Sequence, residues 1–370
     1  MTFWQMFMYI PLGVFVLTYV LFVRRVGLRF RARFLWTLWL LFGFSKFCVF
    51  KWFGGHAFNP ELPQLLLWFW DWAYSGCTVL ALLSVVCFFR FPHKVWALPI
   101  LAWGFSAWGL WNGIKPPAVH ELEFSYADLP AELDGYRIVQ LSDLHCSSGA
   151  RRWRTEAVVD LANAQNADLM CLTGDYADGF VSNRLDDIRP LERLRARDGI
   201  YAVTGNHEYY WNFPAWQRNF YAKLPNVRFL SNSCVMPRAG LVVGGVPDIV
   251  GSRKYKDRMP DIRRAFANAP QGAFRILLQH QPKGAEIAAR ECGVRLQLSG
   301  HTHGGITPPF RLVVARLNGG FVNGSYDLGS SYLYVCPGCG QWEGFPMRFF
   351  NEAEITVITL RRARKSGGET

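Results

Sequence analysis

The sequence predicts an α/β domain carried behind an apolar helical region, on three observations. Charge is divided unevenly along the 370 residues: positions 1–114 hold nine Lys and Arg against two Asp and Glu, whereas 115–370 hold 31 against 26. Eleven of the 15 tryptophans precede residue 115. Beyond that point short apolar runs alternate with helical patterns, as in a layered α/β fold. The whole chain is 18% charged, below the ~25% of an average soluble protein, and the first third accounts for the deficit. A disordered, collagen-like or disulfide-stapled chain is excluded. The expected organisation is a transmembrane region over 1–114 and a globular domain over 115–370.

Four apolar stretches, 3–23, 34–53, 65–89 and 95–111, each approach the ~20 residues that span a bilayer. The fourth is short and contains Pro99. The first lacks a basic n-region and a small-residue cleavage site, so it does not read as a signal peptide. Clusters such as Trp68-Phe69-Trp70 with Trp72 suit a membrane region better than a buried hairpin of a soluble protein. The loop after the first stretch carries Arg24, Arg25, Arg29, Arg31 and Arg33, and the loop after the third carries Arg90 and Lys94. The opposite side offers Lys51 and Lys115. By the positive-inside rule both basic loops are cytoplasmic. The chain is then a multi-pass inner-membrane protein whose globular domain is extracytoplasmic, in the periplasm of a Gram-negative cell. Lys46 and Asp71 fall at matching depth, roughly 10 Å below the shared outer loop at 1.5 Å per residue, and are expected to form an ion pair.

In the globular domain, strands are expected at 136–141, 168–173, 200–204, 227–230, 241–246, 274–278, 294–298, 331–335 and 355–360. Helices are expected at 155–164, 183–196, 260–266 and 283–290. The early alternation gives a layered sheet, and the later glycine-rich strands a second, more antiparallel one. The basic tail, Arg361, Arg362, Arg364 and Lys365, either solubilises the end or touches anionic lipid.

Five of the eight histidines belong to one pattern. Along the chain it reads Asp143-Leu144-His145, Gly174-Asp175-Tyr176-Ala177-Asp178, Gly205-Asn206-His207-Glu208, His280, and Gly300-His301-Thr302-His303. Each group follows an expected strand, where α/β sheets present their functional loops. Two divalent ions ~3.5–4 Å apart can bind phosphoryl oxygens and an attacking hydroxide. Such a centre needs imidazoles, terminal carboxylates and one bridging carboxylate. A glycine before Asp175, Asn206 and His301 lets the backbone turn sharply off each strand. All donors are N or O, which excludes a thiolate zinc site and suits Mn, Fe or Zn. His56, His93 and His120 lie outside the pattern.

This ordered set, D-x-H, G-D-x-x-D, G-N-H-E, H and G-H-x-H, resembles the calcineurin-like metallophosphoesterase superfamily over roughly residues 121–360. The preceding spans resemble its membrane-anchored bacterial phosphohydrolases. The resemblance implies a two-sheet β-sandwich flanked by helices and two divalent metal ions per chain. It implies that Asp143, His145, Asp175 and His303 hold the first ion. Asp175, Asn206, His280 and His301 would hold the second, with Asp175 bridging. His207 is implied as the residue that contacts the substrate phosphate and protonates the leaving group. Asp178 and Glu208 match positions that orient ligands by hydrogen bonds. The implied reaction is attack of metal-bound hydroxide on a phosphoester or pyrophosphate bond.

A soluble substrate would not require four spans, so a lipid-linked phosphodiester or pyrophosphate is expected, with membrane lipids as the surroundings. A periplasmic nucleotide or cyclic nucleotide is the alternative substrate. A reading from another class makes the helices a transporter or sensor with the metal domain as its regulatory module. Nucleic acid is not expected, because the basic residues of the domain show no aromatic interleaving. Cys336-Pro337-Gly338-Cys339 forms either a short disulfide or two free thiols, since no second pair completes a four-sulfur zinc site. Arg253, Lys254, Lys256 and Arg258 form a basic loop, solvated or receiving an anionic group. Arg151, Arg152 and Arg154 face either the substrate or a lipid surface.

Overall fold

The computed structural model of the chain describes residues 3–25, 28–52, 60–90 and 97–363. Lys94, Arg364, Lys365, His56, His93, residue 53 of the second expected span and residues 95–96 of the fourth lie outside the described residues. The chain divides into two compact units. One joins Met1–Lys115 with the distant segment Trp342–Phe349, and the other joins Pro116–Gln341 with Phe350–Thr370.

The first unit is helical: α1 (Phe3–Thr18, continued by a π turn, Tyr19–Val23), α2 (Phe30–Phe44), α3 (Lys46–Trp52), α4 (Gln64–Arg90) and α5 (Leu98–Ile114). Apart from the turn at Ser45, all four apolar stretches are helical where described. Among the described residues, only α4 is long and apolar enough to cross a bilayer alone, over Gln64–Cys87. The α2–α3 pair adds a second if its 55° bend lies within one span, while α1 and α5 are shorter. The bend has a chemical cause. Phe42 O accepts from Ser45 Oγ at 2.7 Å and from Trp70 Nε1 at 2.8 Å, so side chains satisfy the carbonyl at the break. Glycines bring the helices together: a Cβ at Gly43 would sit 2.6 Å from Cys77 Sγ, and one at Gly76 would sit 2.5 Å from the Trp103 indole. Small residues at such crossings are how apolar helices gain packing contact.

The second unit holds two six-stranded sheets. In chain order its elements are β1 (Ala118–Tyr126), β2 (Arg137–Leu141), α6 (Arg152–Ala164), β3 (Leu169–Leu172), α7 (Val181–Ile188), β4 (Ile200–Ala202), α8 (Phe213–Asn219), β5 (Val227–Phe229), β6 (Ser233–Arg238), β7 (Leu241–Gly245), α9 (Ile262–Ala265), β8 (Phe274–Leu278), α10 (Ala285–Cys292), β9 (Val294–Ser299), α11 (Pro308–Leu317), β10 (Gly324–Asp327), β11 (Tyr332–Val335) and β12 (Glu354–Arg362). The sheet orders are β1-β12-β2-β3-β4-β5 and β10-β11-β9-β8-β7-β6. In the first, only β12 with β2 is antiparallel; in the second, the edge pairs β10–β11 and β6–β7 are.

Alternation along the strands sorts the core into layers. Ile138, Leu169, Val243, Ile276, Leu278, Leu296 and Ile358 meet between the sheets. Val139, Met170 and Leu172 instead face Val158, Val159 and Ile188 of the outer helices. On the other side Val242, Leu277 and Val294 pack on Ala265 and Ala288. The result is helices, sheet, sheet, helices. Because both faces of each sheet are covered, its central strands are buried throughout.

Gly76→Val should overpack the α4–α5 crossing and cost about 1–3 kcal/mol, read as a lower thermal unfolding midpoint of the full chain in detergent. An unchanged midpoint would mean that the indole of Trp103 moves aside without loss.

Candidate metal centre

The five motif loops leave the carboxyl ends of β2, β3, β4, β8 and β9, so both sheets contribute. The first two loops are zipped together by Asp143 N to Gly174 O (2.9 Å), His145 N to Asp175 O (3.0 Å) and Cys146 N to Tyr176 O (2.9 Å). Asp143, His145, Asp175, His301 and His303 all take positive φ, between 46° and 72°. Such backbone is uncommon for residues with a Cβ and gathers at functional sites. Glycine is required beside them. A Cβ at Gly205 would collide with Asp175 Oδ1, and one at Gly300 would collide with Asp143 Oδ2.

The side chains converge as two donor groups. In one, Nε2 atoms of His145 and His303 face each other at 3.1 Å, with Asp143 Oδ1 at 3.8 and 3.5 Å from them. In the other, His280 Nε2 lies 3.1 Å from both Asp175 Oδ2 and Asn206 Oδ1, and His301 Nδ1 lies 2.8 Å from Asn206 Oδ1. Asp175 Oδ2 is also 3.8 Å from His145 Nε2, so this one carboxylate faces both groups. The donor set fits a metal pair. Ring nitrogens crowded at 3.1 Å with carboxylates are spaced as ligand atoms that share an ion with bonds of ~2.0–2.2 Å.

The supporting bonds are specific. Asp178 takes His145 Nδ1 at 3.0 Å and His207 Nδ1 at 2.5 Å, turning the Nε2 of His145 toward the other donors. Glu208 accepts from the backbone N–H of Asp175, Tyr176 and Gly205 at 3.0, 2.9 and 2.6 Å, tying the β3 loop to the β4 loop. His207 N donates to Asp175 Oδ1 at 2.8 Å, and His301 N reaches both Asp143 oxygens at 3.1 Å. Asp143, His145 and His280 are sealed from solvent, whereas the side chains of His207 and His303 are 11% and 14% exposed. Access is along that edge.

Electrostatics follow from burial working against dense charge. Burial pushes His145 down, but Asp178, Asp143 and Asp175 together hold it up at about 10. Burial opposes His280 and His207 too, and the aspartates outweigh it, raising both. Burial and the charge of His280 lower His301 to about 4. Burial pushes Asp143, Asp175 and Asp178 up, yet the surrounding histidines hold each below the usual carboxylate range. Burial and Asp175 raise Glu208 to about 7, opposed by its three backbone donors.

Several contributors have no sequence signal. His280 Nδ1 bonds Thr173 O at 2.7 Å, which aims its Nε2 at Asp175. Asn351 Nδ2 donates to His303 O at 2.8 Å. Cys336 and Cys339 are free, buried thiols, with Cys339 pushed up to about 12 by burial. Cys339 N and Gly340 N donate to Ser142 O and Asp143 O at 2.8 and 2.9 Å, so their loop underlies the first motif. Arg154 is buried and donates to Cys339 O, while Arg151 and Arg152 pair with Asp187 and Glu156. In the basic loop, Lys254 donates to Tyr209 O and Arg258 covers the Phe213 ring. His120 is exposed on β1.

Residues 136–305 match the family model of the calcineurin-like phosphoesterases. A transmembrane protein with metallophosphoesterase domain from Danio rerio is 31% identical over 74% of this chain and 64% of its own length. Its Bos taurus counterpart is 34% identical over 70% and 60%. The chain thus spans less than two thirds of these two relatives. An uncharacterized metallophosphoesterase of Bacillus subtilis is 30% identical over 63% of this chain and 82% of its own. The fold, the donor set and these matches define a metallophosphoesterase. The chain belongs to the calcineurin-like phosphoesterase superfamily.

If the raised His145 and His280 bind metal, the ion competes with their protons, so Mn2+ affinity should rise with pH and loading should release protons. Calorimetry in buffers of different ionisation enthalpy measures this, and pH-independent binding without proton release would contradict it. Asp178→Asn should weaken metal binding ~10- to 100-fold, as loss of a carboxylate that orients a ligand does, in equilibrium dialysis against Mn2+.

Proposed function

We propose that the chain is a membrane-anchored dinuclear phosphohydrolase that cleaves a phosphoester or pyrophosphate bond of a lipid-linked substrate. The observation that carries the hydrolase reading is the single carboxylate of Asp175 facing two groups of N and O donors. Asp143, His145, Asp175 and His303 would hold one ion, and Asp175, Asn206, His280 and His301 the other. When bound, the ions supply Lewis-acid stabilisation of phosphoryl charge and an activated water.

The chain's own residues supply orientation and a proton. Asp178 fixes the Nδ1 face of His207 and favours its protonated form, as a carboxylate partner does for any imidazole. The opposite ring face, on the accessible edge, donates to a departing oxygen. Asp143, His145 and His280, sealed from solvent, keep water out from beneath the reacting phosphorus.

Support for the membrane comes from the helical unit, which is apolar outside as well as in its core. Leu12, Val16, Leu35, Leu65, Ile100 and Trp111 face outward, while Lys46, Asp71, Ser75, Ser84, Ser106 and Asn112 are buried. An apolar exterior, with the charged pair turned inward, suits a bilayer. Two relatives carry "transmembrane" in their names. In this reading the four helical stretches cross, with the basic loops cytoplasmic and the catalytic unit outside. A lipid-linked substrate suits that location.

His207→Ala should lower kcat on bis(p-nitrophenyl) phosphate by ~10^2–10^4 while bound metal, measured by elemental analysis, stays at the wild-type level. Wild-type turnover in this variant would remove the proton-donor role. The substrate class is tested by comparing the full chain in nanodiscs on a lipid-linked pyrophosphate and on a soluble nucleotide. A preference for the nucleotide would overturn the lipid reading.

A further inference from the structure

The segment Trp342–Phe349 belongs to the helical unit, although the chain reaches it only after β11 and leaves it before β12. It is fixed among the helices at three places. Lys46, just past the α2–α3 break, donates its Nζ to Glu343 O at 2.7 Å; the same nitrogen lies 3.8 Å from the Glu343 carboxylate and 2.5 Å from that of Asp71. Arg348 N donates to Gly109 O at 2.9 Å, and Asn112 Nδ2 reaches Arg348 O at 3.4 Å. Phe349 fills the hollow over Gly109, where a Cβ would come within 2.5 Å of its ring. One ammonium and two carboxyl groups, all at most 5% exposed, make a cluster in which both acids depend on Lys46 staying in place.

The residues on either side of this segment touch the ligands of a single donor group. Two positions before it, Gly340 donates to Asp143 O, packed so closely that a Cβ would collide with Leu144 O. Two positions after it, Asn351 donates to His303 O and occupies the space over Gly304, where no Cβ fits. Asp143 and His303 face each other at 3.5 Å. Two extended residues reach about 7 Å at most, so neither end of the segment has much slack.

We propose that Trp342–Phe349 is a strap that couples the buried Lys46–Asp71–Glu343 cluster to the Asp143–His145–His303 donor group, with Gly340 and Asn351 as the positioning residues at its two ends. The link is the covalent chain itself. It rests on the reading of these donors as metal ligands and is independent of the substrate. The cluster holds the Glu343 end of the strap while Gly109 and Asn112 hold the Arg348–Phe349 end, and with both ends held Asp143 and His303 keep the separation one ion requires. Coupling free energy is reciprocal, so loading that ion tightens the strap among the helices.

The test uses the full chain in nanodiscs and Mn2+ alone. Free Mn2+ is titrated by electron paramagnetic resonance, and hydrogen exchange is followed in peptides covering 342–349. Glu343→Gln should weaken one of the two Mn2+ sites by about 2- to 30-fold, the span of mutations that act through coupling, and leave the other unchanged. In the wild type, Mn2+ should slow exchange in 342–349, and Asn351→Ala should abolish that slowing without touching the helices. Unchanged Mn2+ affinities in Glu343→Gln, or exchange in 342–349 indifferent to Mn2+, would overturn the strap. If Glu343→Gln fails to fold, the Asn351→Ala exchange measurement decides alone. A wild-type chain that binds no Mn2+, Zn2+ or Fe2+ would fail at the metal reading itself, a result distinguishable from a chain that binds metal with an indifferent strap.

Discussion

The constraint behind the centre is that seven N and O donors from five loops must meet within a few ångströms, although each loop has just left a buried strand. A strand delivers its last side chain perpendicular to the sheet, not along its axis. Positive φ at Asp143, His145, Asp175, His301 and His303 redirects the chain. Each such residue costs about 1–2 kcal/mol, so the conformation persists only where the surroundings over-determine it. The zipped β2 and β3 loops and the three N–H groups on Glu208 provide that. Removing a donor and removing one of these supports therefore damage the same property.

The legible part of the sequence was local. Four of the five groups occupy three to five consecutive residues after an apolar run, and the single His280 stood out only by its place in their order. The central strands were legible because burial on both faces makes them continuously apolar. The strands that escaped were β1, β6 and β10, which lie at sheet edges and bury few of their residues. The helix expected over 183–196 stops at Ile188, because Pro190 turns the next residues, Arg189–Arg193, into a 3-10 helix. Asn351 and Thr173 escaped for another reason. Their contacts join residues 48 and 107 positions apart, and a backbone carbonyl as partner leaves no residue-type signature.

The helical unit shows the same division. The Lys46–Asp71 pair was legible because helix rise converts position into depth. Glu343 was not, because it arrives from almost 300 residues away through a return of the chain. Burying a lone pair of charges is expensive, and each added hydrogen bond reduces the cost. Glu343 O accepts one of the three ammonium protons, so the late segment completes a site that the early helices leave short of partners. The break at Ser45 belongs to this arrangement, since it starts α3 at the residue that carries the charge.

Charge balance also separates the centre from metal sites that nucleate folding. In the metal-free centre the aspartates raise His145, His207 and His280 against their burial, and the histidines lower Asp143, Asp175 and Asp178 against theirs. Acids and imidazoles within hydrogen-bonding distance offset one another's charge, and a network satisfied in this way can be buried. A zinc finger, by contrast, has no such network and little core, so its apo form unfolds. Here the two-sheet core, with Ile138, Ile276 and Leu296 fully buried between the sheets, stabilises the loops independently of the ions. Metal loading is then an exchange of protons for cations in a preformed frame.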